Sequence, residues 1–400
     1  MATTQSISDS TTPSAPPGAD LLVVLADMTP EQLEQVLASL AASFPAESLL
    51  IASPHALPED SHPPFQTVAL PATPPTWTLS AAHFLNAYEL AGKSNARAIL
   101  MLGAGSGSLA SSAIRALANA VLTTPTDLAM PCYDLPPHSG LVNSAILYPL
   151  TRALFASPVR FPLAADLGLS LRMADRLAGA AHRFTALNQG GETLWPVNEA
   201  AVARFNIDQF DVGPRVQPQP QPGGPDLKTI LPLLTGSLFS DIDAKAAFWQ
   251  RPRQWLPPDN PTPVPIAPST DAAADIAPML SAFHLAYTNL HEIWSLVLPP
   301  NSLVGLKRLS TTDAAAFRMP ESLWARIVFD FLLAYRLRTI NRGHLLGSLI
   351  PLYLAWVASH INITASGIDP ERHIETVAAA FEADKTYLLS RWRWPDRFNP

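Results

Sequence analysis

Short, unbroken apolar runs alternate with helix-spaced apolar stripes through the first half of the chain, and helix-spaced stripes alone dominate the last third. Residues 20–26 read as a first strand. Thr29-Pro30-Glu31-Gln32 then opens a helix, with Thr29 as N-cap, Pro30 at the first helical position and Gln32 completing a capping box. Leu33, Val36, Leu37 and Leu40 supply its apolar stripe. Residues 48–53 and 66–70 read as the next two strands, and residues 80–91 as a helix. Residues 98–102 form a strand whose continuous apolar run is expected of a parallel sheet buried on both faces. The alternation predicts an α/β fold, a largely parallel sheet covered by helices. Residues 272–295, 321–340, 344–360 and 369–391 carry helical spacing, and Asp369-Pro370-Glu371 is a clear N-terminal cap signal.

Composition refines this outline. With 400 residues, 48% of them hydrophobic, the chain can bury one large core or two. Residues 1–18, rich in Thr, Ser, Pro and Ala, read as a disordered tail, and they lack the basic start and apolar block of a secretion signal. Residues 214–225, Pro-Arg-Val-Gln-Pro-Gln-Pro-Gln-Pro-Gly-Gly-Pro, read as an extended loop or linker. A second proline-rich stretch at 257–271 reads as the linker between an α/β domain over 19–256 and a helical region over 272–400. No internal repeat is visible, which argues against a solenoid.

A net charge of −7 with 15% charged residues gives no electrostatic reason for binding nucleic acid or an anionic membrane. The lone Cys132 rules out an intrachain disulfide and suits a reducing cytoplasm. The apolar segment 345–359 falls short of the roughly 20 residues that span a bilayer and contains Pro351, so it predicts a buried, kinked helix. Asn362-Ile363-Thr364 fits a glycosylation sequon and, with no secretion signal apparent, reads as a coincidence.

Candidate chemistry concentrates after the strand 98–102. Ligands in such sheets bind beyond the carboxyl ends of the strands, where this chain places Gly103-Ala-Gly105-Ser106-Gly-Ser108. That loop is either a phosphate cradle of backbone N–H groups or a plain turn into the next helix. Its spacing matches neither a Walker loop nor a dinucleotide fingerprint, and Gly105-Ser106-Gly107 is too short for a hydrolase elbow. The ten histidines are scattered, with no His-Glu-x-x-His pair, and read as surface or core residues.

The segment Tyr148-Pro-Leu-Thr-Arg-Ala-Leu-Phe155, running into Val159-Arg-Phe-Pro-Leu-Ala-Ala-Asp166-Leu-Gly-Leu-Ser170, resembles a stretch of the GT-A glycosyltransferases (family 2-like) related to glucosylglycerate and mannosylglycerate synthases. Weaker similarity runs from Leu21 to Pro351-Leu-Tyr353 and Phe381-Glu-Ala-Asp-Lys-Thr-Tyr-Leu388. The resemblance implies a GT-A domain that passes a hexose from a nucleotide-diphosphate sugar to a small, glycerate-like acceptor. Homo-oligomerisation is left open. It also implies Mg or Mn on an Asp-x-Asp motif, but Gly103, Gly105 and Ser106 stand where those ligands belong. Two further departures are Ala26-Asp27-Met28-Thr29 in place of a Pro- and Asn-containing turn, and a Pro/Gln stretch in place of a later metal ligand. On this resemblance Asp27, Gly103, Gly105, Ser106 and Lys228 are donor-side candidates, Lys228 lying in a loop that approaches the diphosphate. Asn143, Arg152, Arg160 and Asp208 are acceptor-side candidates, and Asp166 is the candidate base.

Each of these residues also has a plainer reading. Asp166 suits the N-cap of the helix through Leu171 and Leu177, while Asn143 and Asp208 suit caps. Arg152 and Arg160 either grip an anion or pair with Asp166 or Asp175. Two functions therefore stand side by side: a transferase using Asp166, or a catalytically silent relative that keeps the scaffold for binding.

Overall fold

The computed structural model describes residues 19–55, 65–71, 73, 78–187, 189, 191–215, 226–251 and 275–394. The expected tail 1–18, the linker 257–271 and all but two residues of the stretch 214–225 lie outside them. Seven strands form one sheet: β1 (Leu21–Leu25), β2 (Leu49–Ser53), β3 (Gln66–Ala69), β4 (Ala98–Leu102), β5 (Leu128–Asp134), β6 (Leu167–Ser170) and β7 (Ile207–Pro214). Their order is β3-β2-β1-β4-β6-β5-β7, and β6 alone runs antiparallel to its neighbours. The mixed α/β class expected from the hydrophobic pattern is what the chain adopts.

β1 and β4 are buried at every position, as their unbroken apolar runs require. The Pro30–Ser43 helix packs on Ser111–Thr123, and Ala81–Ser94 packs on Leu171–Thr185. Thr29 and Gln32 form the expected capping box, each side chain accepting from the other's backbone N–H. Asp369 likewise caps the Pro370–Ala383 helix, accepting from the Arg372 N–H at 2.9 Å.

A second core lies in a helical layer. Trp195, Trp249, Trp294, Trp324 and Trp356 sit in one apolar cluster whose buried members run from Leu141 to Trp392. The Leu227–Ala244 helix belongs to it, although it precedes residue 257, where sequence composition changes. So does the Tyr148–Phe155 helix. The Arg342–Ala365 helix is long and apolar enough to cross a membrane, yet 72% of its most apolar window is buried inside this fold.

Candidate functional site

The antiparallel direction of β6 builds the centre of the strand-end cleft. Because β6 runs against β4, the residue that enters it lies at the carboxyl edge of the parallel strands, and Met101 pairs with Leu167. Asp166 is therefore delivered beside Gly103. The four residues of β6, roughly 13 Å of extended chain, separate it from the next helix, which Ser170 caps instead. The capping role expected for Asp166 is thus overturned.

Asp166 is fully buried. Its Oδ1 accepts from the Gly103 N–H at 2.8 Å, and its Oδ2 accepts from the Tyr133 hydroxyl at 2.7 Å and from Arg215 Nε at 2.8 Å. Arg215 also donates from Nη2 to the Ala104 carbonyl at 2.7 Å, and its guanidinium lies 5.1 Å from the Tyr133 ring centroid. Burial alone would lower the Arg215 pKa, but Asp166 and Tyr133 outweigh it, and the guanidinium stays charged. Burial, reinforced by Asp166, pushes the Tyr133 phenol well above its usual range.

A register break aims Arg215 into this position. Cys132 pairs with Asp211 but Tyr133 pairs with Gly213, leaving Val212 as the extra residue of a bulge. Gly213 sits at φ +72°, which a residue without Cβ adopts at little cost, and its N–H donates to Asp211 Oδ1 at 3.0 Å. The neighbouring strand ends at Asp134, whose Oδ1 is buried without a hydrogen-bond partner among the described residues.

These residues do not fit a divalent cation. Mg or Mn needs several hard oxygen ligands, whereas Asp166 already accepts from three donors and one of those is itself cationic. A side chain at Gly103 would place Cβ 2.4 Å from Ala165 Cβ and 3.3 Å from Arg215 Nη2, so no ligand can be carried there without moving the strand-end loops. Gly105 at φ +90° precedes a single 3-10 turn, and the Ser106 hydroxyl is buried without a partner among the described residues.

The other candidates disperse. Arg152 and Arg160 pair neither with Asp166 nor with Asp175. Arg152 is held by Glu375 and Glu382, and Arg160 is gripped through two nitrogens by Glu371, both contacts at 2.9 Å. All three glutamates lie on the Pro370–Ala383 helix, which sequence inspection did not connect to these arginines. Asn143 lies in a π-helical turn, and its amide donates to the Arg160 carbonyl rather than capping a helix. Asp208 is a strand residue on β7 that accepts from the Thr126 hydroxyl, not a cap. Asp27 is exposed and paired with His55 at 3.0 Å. Lys228 is in the first turn of the Leu227–Ala244 helix, which Asp226 caps, and not in a loop. The centre thus unites Gly103 and Asp166 with Tyr133 and Arg215, the last two overlooked because the bulge that joins them leaves no signature in the sequence.

No protein-family model matches the sequence, and no curated protein matches it either. Among solved structures the chain is similar to one described as a mycobacterial protein, at 14% identity and TM-score 0.37, over 57% of this chain and 76% of that one. It is also similar to glucosyl-3-phosphoglycerate synthase from Mycobacterium tuberculosis in complex with phosphoglyceric acid, at 14% identity and TM-score 0.37, over 56% and 80%. The same enzyme with Mn2+, uridine-diphosphate-glucose and phosphoglyceric acid gives 15% identity and TM-score 0.37, over 56% and 79%.

Proposed function

We propose that this chain is a GT-A-type relative of the nucleotide-sugar glycosyltransferases in which an internal ion pair has closed the strand-end centre, leaving a binding or interaction module. One observation carries the reading: the Asp166 carboxylate is buried and fully engaged by Gly103, Tyr133 and Arg215. The Tyr148–Ser170 resemblance supports the ancestry, and the α/β sheet with its loops at the carboxyl edge is the scaffold such ancestry requires. Transfer from a nucleotide-diphosphate sugar needs positive charge against the departing diphosphate, and removal of even one preorganised contact of that kind slows a reaction by roughly 10²–10³. Here the centre's own cation, Arg215, is already neutralised by Asp166. Cys132 is the single cysteine, so the chain carries no intrachain disulfide, and this supports residence in a reducing compartment such as the cytoplasm.

Calorimetric titration with UDP-glucose, GDP-mannose and the free diphosphates, each with and without Mg or Mn, tests the reading alongside a sugar-transfer assay to glycerate. The expected result is that metal leaves every isotherm unchanged and no sugar is transferred. Metal-dependent donor binding, or transfer, overturns it.

A second reading, a working transferase, draws on Asp134 at the same sheet edge, whose Oδ1 has no hydrogen-bond partner among the described residues, whereas both oxygens of Asp166 are engaged. In that case Asp134→Asn abolishes turnover, and Asp166→Asn does so only by freeing Arg215.

A further inference from the structure

A cavity of about 780 Å³ opens between the Leu171–Thr185 helix of the sheet layer and the Leu227–Ala244 helix of the helical layer. It shares no lining residue with the Asp166 centre, and its volume falls within the roughly 300–1,000 Å³ of small-molecule pockets. Its wall includes an ion network. Lys245 Nζ joins Glu199, at 2.9 Å, to Asp241, and Arg176 Nε grips the second Glu199 oxygen at 2.8 Å. Glu199 is 4% exposed. Asn198 holds Asp241 from behind at 2.8 Å.

Charges withdrawn from water this far stabilise a fold poorly, because their desolvation offsets most of their attraction. Facing a cavity rather than packed side chains, the same groups form a ready array of donors and acceptors. The hydroxyls of Ser237, Ser240 and Tyr335 extend it, and the Phe184 and Phe248 rings line the wall with apolar surface. Alternating carboxylate, ammonium and hydroxyl groups beside an aromatic face suit the hydroxyls and C–H face of a polyol.

The charges are unequal. The lining holds four cationic side chains against three acidic ones, so one positive charge is left over. At the rim Arg183 is exposed, while Arg342 lies 4.0 Å from the Tyr335 ring centroid, and neither has a carboxylate partner among the described residues. Guanidinium groups placed this way take a carboxylate or phosphate through paired N–H donors.

We infer that this cavity binds a small polyhydroxylated anion, a sugar acid or sugar phosphate, with its hydroxyls on the Glu199–Lys245–Asp241 network and its anionic group on Arg183 and Arg342. The site stands independently of whatever the Asp166 centre binds.

Calorimetry of the full chain with gluconate, glucose 6-phosphate and neutral glucose tests it. Both anions are expected to bind at least tenfold more tightly than glucose, the stronger of the two naming the anionic group. Arg183→Gln and Arg342→Gln each weaken the anions by about tenfold, as loss of a charge-assisted contact predicts. Arg97→Gln, an exposed arginine outside the cavity lining, leaves them unchanged. Absence of binding by either anion, equal binding of neutral glucose, or affinity insensitive to both rim substitutions overturns the proposal. Unchanged unfolding midpoints of the rim variants separate lost binding from lost fold.

Discussion

Asp166 takes three hydrogen bonds inside the protein, and Arg215 alone brings a compensating charge. Removing one partner of a buried ion pair strands the other, at roughly 3–5 kcal/mol, whereas removing both is far milder. Arg215→Met is therefore expected to lower unfolding stability by about that amount, and the double variant Arg215→Met, Asp166→Asn to recover most of the loss. Denaturant unfolding of the three proteins measures it; additive losses in the double variant would show that the two residues act apart. Asp166 was legible in the sequence as the acid of the cleft, since it lies in the most distinctive segment. Arg215 was not, because its direction depends on one extra residue in a strand whose register is fixed by β5.

The Pro370–Ala383 helix shows the same division between local and distant information. Its start was plain from Asp369 and Pro370. Its purpose was not, because Arg160 and Glu371 lie 211 positions apart. Glu371, Glu375 and Glu382 share one helical stripe, and they meet Arg152 and Arg160, whose side chains are only 8% and 4% exposed. Tyr148 donates to Glu375 at 2.6 Å, and its ring packs with Ile374 and Ala378. Glu371→Gln leaves the Arg160 charge without its counterion. Glu371 is itself 23% exposed, so a loss of about 2 kcal/mol is expected, below the range for a fully buried pair. Amide exchange in this helix should quicken on the order of 30-fold while β1 and β4 keep their protection. Uniform acceleration across the sheet would instead mean that the helix does not open separately. By contrast the Leu227–Ala244 helix escaped sequence reading, because Pro232 interrupts its pattern and the proline-rich stretch before it invites a loop.

Acid reaches the whole molecule through the seam where these elements meet. His360 is fully buried, its Nδ1 2.7 Å from that of His373, with its ring stacked on Trp356 and edge-on to His138. Burial, with the positive potential of His373, His138 and Arg160 added, lowers its pKa to about 3, while Glu321 faces His373 at 3.5 Å. A depressed folded pKa means that the unfolded chain binds the proton first. The contribution of His360 is complete above roughly pH 6.5 and is lost as pH falls towards 3, by on the order of 1 kcal/mol per unit. His360→Phe should show a shallower fall of unfolding free energy across that window than the natural chain. Parallel curves would place the acid sensitivity elsewhere.

The Glu371–Arg160 contact also has a history within each molecule. A ribosome adding about 5–20 residues per second takes roughly 10–40 s to travel from the arginine to its glutamate. Late in that interval every strand of the sheet, through β7, has been synthesised, while Arg152 and Arg160 still await the glutamates of the Pro370–Ala383 helix. Completion comes from the far end of the chain, so a nascent protein halted near residue 370 lacks part of its middle rather than its edge.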